Sequence, residues 1–106
     1  MIPALRIKTV DMSNGKNNID LGFVPSFIML VDVSNGVVAI GEPDEDILEF
    51  YGATDQTAFE TVSDGVESYT GEAEDDDGFA GIMLDPTQFN TVASDSTILI
   101  AGRANY

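Results

Sequence analysis

Apolar and polar residues alternate with a period of two along several short stretches of this chain, and turn-forming residues separate the stretches. Leu5-Arg6-Ile7-Lys8-Thr9-Val10 is the first. Successive side chains of an extended strand point to opposite faces, so Leu5, Ile7 and Thr9 are expected on a core, with Arg6 and Lys8 together on a solvated face. Ser13-Asn14-Gly15 is a turn signal, because Asn and Gly tolerate positive φ, and Ile19-Asp20-Leu21 then alternates again. In the bend Gly22-Phe23-Val24-Pro25 the proline lacks an N–H to give to a ladder, which predicts a bulge or a strand entry, and Phe23 is placed to plug one end of a core.

The run from Phe27 to Val33 is the most continuously apolar in the chain. Phe27, Met29, Val31 and Val33 share one face and Ile28 and Leu30 the other, with Asp32 expected in solvent. Antiparallel strands normally show water one face. Burial of both predicts cover for the second face, either from the same chain or from a neighbouring subunit. Ser34-Asn35-Gly36 turns the chain into a return strand, Val37 to Ile40.

Gly41 to Asp46 is a loop, and Ile47 to Tyr51 a strand closed by Gly52. In Ala53 to Val62 the spacing of Ala58, Phe59 and Val62 suits one helical turn or an irregular segment, and irregular is expected. After the turn Ser63-Asp64-Gly65, Val66 to Thr70 alternates as a strand, and Gly78 to Leu84 forms another, ended by Asp85-Pro86. Gln88 to Thr91 reads as a connection, and Ser96 to Arg103 as a second strand apolar on both faces. Seven or eight short strands punctuated by Gly, Asn, Asp and Pro predict an all-β chain with little helix, an antiparallel β-sandwich or jelly-roll-like fold. At 106 residues it is expected to be a single domain, 1–106, with one modest core.

Composition narrows the chemistry. Four Lys plus Arg against 19 Asp plus Glu give a net charge of -15, so phosphate backbones and acidic lipid surfaces would repel the chain. No run reaches the roughly 20 apolar residues needed to span a bilayer. The opening Met1-Ile2-Pro3-Ala4 has neither a basic nor a long apolar region, so no secretory signal is expected and synthesis is expected in cytoplasm. The absence of cysteine removes disulfides and thiol chemistry, and the absence of histidine removes the commonest general base and transition-metal ligand.

What remains for chemistry is carboxylates. Glu72 to Asp77 and Asp44-Glu45-Asp46 could offer oxygens to calcium, but they lack the ligand spacing and central glycine of a calcium loop, and solvated loops are the expected reading. A glycosidase would need a groove as well as its paired carboxylates, and serines without a histidine have no base. No enzyme, no metal and no cofactor is expected. Arg103, at the end of an apolar strand, could grip an acidic group across a subunit boundary or sit in solvent. Arg6 and Lys8 could form a basic docking patch, with a solvated strand face as the alternative. Phe50-Tyr51 is expected in the core rather than as a ligand platform.

Four segments together carry a resemblance to a known group: Gly22-Phe23-Val24-Pro25-Ser26-Phe27-Ile28-Met29-Leu30-Val31, Glu49-Phe50-Tyr51-Gly52, Asp77-Gly78-Phe79-Ala80-Gly81-Ile82 and Leu99-Ile100-Ala101-Gly102-Arg103-Ala104. In this order they resemble the head decoration, or capsid cement, proteins of tailed bacteriophages. The resemblance implies a non-enzymatic β-domain, assembled as a homotrimer, that binds the major capsid protein on the outside of the head and stabilises the shell. The expected assembly residues are Phe23, Pro25, Ile28, Leu30, Phe79 and Arg103. Strand spacing is also similar to that of H-type lectins, which makes a carbohydrate-binding or fibre-associated virion module the alternative, with a tail component as a third reading. Phe50-Tyr51 departs from the decoration pattern in lacking a tryptophan, and no tryptophan anywhere is available to stack on a sugar.

Overall fold

A computed structural model describes residues 4–13, 15–52, 57–70, 80–89 and 95–104, with backbone only at 51, 52, 57 and 58. In it the chain forms nine strands: β1 (Ala4–Val10), β2 (Asn17–Asp20), β3 (Phe27–Asp32), β4 (Val37–Gly41), β5 (Ile47–Gly52), β6 (Thr57–Val62), β7 (Val66–Thr70), β8 (Ala80–Leu84) and β9 (Thr97–Arg103). One sheet has six strands in the order β1-β9-β3-β4-β5-β6, the other three in the order β2-β8-β7. Every pairing is antiparallel. The fold is an all-β sandwich.

Local hairpins build the middle of the large sheet, and their turns explain them. Between β3 and β4, the Asp32 carboxylate accepts hydrogen bonds from the Asn35 N–H at 3.1 Å and from Asn35 Nδ2 at 2.7 Å, while Gly36 takes φ 67°. Asp32 is therefore fully buried rather than in solvent. It shares the face of Ile28 and Leu30, and the turn supplies the donors that make its burial tolerable. Between the sheets, Ile28, Leu30, Ala39, Ile47 and Leu99 of the large sheet meet Ile19, Val66, Ile82 and Leu84 of the small one. Each such aliphatic side chain taken wholly out of water contributes about 1.5–3 kcal/mol. Leu21, Phe23, Met12 and Phe89 belong to the same core cluster.

Two further expectations are corrected. The segment ending at Val62 is a strand, β6, paired to β5 from Thr57 to Val62 rather than irregular. It is the sheet's edge, with Phe59, Glu60 and Thr61 all exposed, so among its described side chains only Val62 is buried and no period shows. In β1 the faces are reversed. Leu5 and Ile7 are 61% and 63% exposed, whereas Val10 is buried and Lys8 half-buried on the opposite face. The outer face of this sheet is itself apolar, so the apolar parity of β1 need not look inward.

Asp85 caps the 3-10 turn Pro86–Gln88 by accepting from the Thr87 hydroxyl at 2.6 Å and the Thr87 N–H at 3.1 Å. The hydroxyl bond, more than any other contact, holds the carboxyl below its ordinary value of 3.8. A value lowered by folding adds stability that is complete above the unfolded value and is lost as pH falls through the folded one. Asp85→Asn is thus expected to lower the urea midpoint at pH 7 and to lower it less near about pH 3, where the wild type has begun to lose the contribution of its charged carboxyl. An equal loss at both pH values would contradict this.

Candidate functional site

The two faces of the six-stranded sheet differ in what covers them. Cross-strand register places side chains in rows. Leu5, Gly102 and Phe27 form a short row on the outer face. Ile7, Ile100, Met29, Ile40, Leu48 and Thr61 form the next, running across all six strands. Thr9, Ile98, Val31, Val38, Phe50 and Phe59 form the third. None of these side chains is ionisable.

Among the described residues nothing covers this face. Leu5, Ile7, Phe27, Ile40, Leu48 and Phe59 are 38–63% exposed, and all six belong to it. The seventh exposed large hydrophobic of the described residues, Val33, continues its parity into the turn after β3. Local packing has shaped the face. The Phe27 ring lies so close over Gly102 that a Cβ there would overlap it, and the Phe50 and Phe59 rings sit 5.9 Å apart, tilted by 40°. These contacts give a continuous apolar surface. Soluble monomers rarely expose one of this size without a use.

The small sheet is the control within the same molecule. Its outer rows are Asn18, Met83 and Glu67, then Asp20, Gly81 and Tyr69. Polar groups punctuate every row there, as is usual for a sandwich face in water. Acids also stand beside the large sheet's open face without entering it: Glu42 follows β4 and Asp46 precedes β5, both exposed.

The expected assembly residues fall elsewhere. Phe23, Pro25, Ile28 and Leu30 are buried within the chain, Ile28 and Leu30 completely, so the outer face of β3 is carried instead by Phe27, Met29 and Val31. Phe79 lies outside the described residues. Arg103 is half-buried on the inner side of β9. Its guanidinium carbon lies 5.2 Å from the Phe23 ring centroid, a cation–π contact, and its Nε is buried with no hydrogen-bond partner among the described residues. Arg6 is exposed close to Gly22, and Lys8 donates from Nζ to the Asp20 carbonyl at 3.1 Å. The three cations gather beside the 22–25 bend, at the edge of the sandwich and away from the apolar face. Phe50 points to the outer face rather than into the core.

The acidic loops divide. Glu72 to Asp77 lies outside the described residues. Asp44, at φ 70°, accepts from the Ser68 N–H at 2.8 Å and from its hydroxyl, and Asp46 accepts from the Ser63 hydroxyl at 3.1 Å. Asp44 therefore holds the loop after β4 to strand β7. Among the described residues no three acidic side chains converge to hold a metal ion.

Sequence reasoning foresaw a strand apolar on both faces but not the breadth of the open one. The signal lay in the sum of Leu5, Ile7, Phe27, Ile40, Leu48, Phe59 and Ile100, residues too far apart in sequence to be read as one surface before the strand order is known. Comparison with protein-family models, with characterised proteins and with solved structures finds no match to this chain.

Proposed function

We propose that this chain is a structural, non-enzymatic assembly protein, and that it serves as a decoration protein on the outside of a tailed-phage head. The observation that carries the assembly part is the outer face of the six-stranded sheet, apolar across all six strands and free of ionisable groups. A face of this kind lowers its free energy only by leaving water, so the protein works in company. The resemblance of the four segments supplies the setting: a homotrimer bound to the major capsid protein. A net charge of -15 suits a component kept apart from packaged DNA. Several subunits gripping a shell together turn weak single contacts into a firm hold.

Expanded phage heads that lack their own decoration protein test this. The chain is expected to co-sediment with them and to raise their disruption temperature, while leaving a glycan array blank. Glycan binding without head binding would favour the lectin-like module instead.

A further inference from the structure

We propose that the outer face of the six-stranded sheet is buried against further copies of this chain, the same face of each of the three subunits turned toward the axis of the homotrimer. This rests on the assembly reading above and names the partner of that surface. Three features favour a copy over a foreign partner.

The first is size. Six strands about 4.8 Å apart, each offering about three outward positions some 6.8 Å apart, make a face on the order of 600 Å² in projection. Its accessible area is larger, because side chains such as Phe59 and Ile7 stand 63% clear of their neighbours. That approaches the ~800 Å² per partner of a stable protein–protein interface.

The second is chemistry. The face has no carboxylate to attract a basic partner and no cation to attract an acidic one, so its complement must be uncharged and apolar. It must also match a sheet of ordinary twist. The same face of another copy, apolar and carried on a sheet of the same twist, meets both demands, and every copy brings one. The small sheet's outer rows, with Asn18, Asp20 and Glu67, do not.

The third is supply. An open apolar face of this extent aggregates if it waits for a rare partner. Copies of the chain are present wherever it is made.

Charge sets a signature for this partner. Each copy brings -15, so copies repel one another across the rim even as their faces attract. Salt shortens the reach of that repulsion, from a Debye length of about 14 Å at about 50 mM to about 6 Å at about 300 mM. Association between copies must therefore tighten with salt, whereas binding of this acidic chain to a basic surface must weaken.

Sedimentation of the full chain at about 50 µM, where mass action favours assembly, makes the test. The wild type is expected to be oligomeric and to tighten between about 50 and 300 mM salt. Ile40→Lys/Leu48→Lys places two charges side by side at the centre of the face, on side chains 38% and 39% exposed in the single chain. It lowers the net negative charge, so added repulsion cannot explain a loss of assembly. It is expected to weaken association at least tenfold with an unchanged circular dichroism spectrum. Ile7→Lys, at an edge position 63% exposed, is the second variant should the double one fold poorly. Asn18→Glu on the other sheet is expected to assemble normally.

A wild type that stays monomeric, or folded lysine variants that stay assembled, overturns the proposal. Head binding keeps the two readings apart. A monomer that binds heads through this face would sink self-association and leave decoration standing. An oligomer indifferent to heads would do the reverse.

Discussion

Gly81→Ala is expected to destabilise the protein by about 3 kcal/mol or more, at the upper end of what overpacking costs. Gly81 lies in β8 directly opposite Asp20 of β2. A Cβ at this position would run into the Ile19 carbonyl oxygen and come within 3.0 Å of the Leu21 nitrogen. Both obstacles are backbone, so no rotamer change relieves them. Relief requires β2 to move away from β8, which is its only neighbour in the sheet. That movement would strain the bonds from the Leu21 and Gly22 N–H groups to the Ala80 carbonyl, at 2.9 and 3.0 Å, and would pull Ile19 and Leu21 out of the core. For a domain of this size the loss corresponds to a fall in melting temperature on the order of 10–20 °C. Gly15→Ala is the matched control, since a Cβ there meets nothing within 4 Å. A thermal melt of the two variants decides the matter, and equal melting temperatures would show that β2 and β8 do not approach this closely.

Leu30→Ala should cost about 2–5 kcal/mol, while Ile7→Ala should cost the isolated chain less than about 1 kcal/mol. Leu30 is fully buried between Leu99 on β9 and Ala39 on β4, so truncation leaves a cavity that two flanking strands prevent from collapsing. Ile7 is 63% exposed on the outer face of an edge strand, and its side chain takes little area from water until something covers it. Urea denaturation at concentrations low enough to hold the chain as monomer measures both. Comparable losses for the two variants would mean that the inward and outward faces of the large sheet have been exchanged.

These two pairs also mark what could be read from sequence. The period-two runs located most of the strands, and the Asn-Gly and Asp-Gly turns located their ends, because both signals live within ten residues. Parity was equally legible: Ile28 and Leu30 on one face, Phe27, Met29 and Val31 on the other. Which parity looks inward was not. That depends on the small sheet, whose β2 and β8 pair across residues 17 to 84 and whose Ile19, Ile82 and Leu84 pack on only one side of the large one. Asp32 illustrates the consequence. Its charge suggested solvent, yet parity with Leu30 and the donors of Asn35 place it inside. β6 carries almost no periodic signal, because it is an edge strand whose described side chains are exposed except for Val62. The candidate surface was spread over six strands and became visible only with their order.

That order has a temporal side. β9 is the last of the nine strands to leave the ribosome, yet it lies between β1 and β3 and bonds to both. Until it arrives, β1 has no neighbour in its sheet, and β3 has an unpaired edge beside the hairpin it forms with β4. Closure of the barrier between coil and sandwich therefore waits for contacts nearly the full length of the chain apart, the kind that folds slowly. During synthesis β3 to β6 can pair before β9 has emerged to close the seam beside β3, and a chaperone would find most apolar surface to hold then.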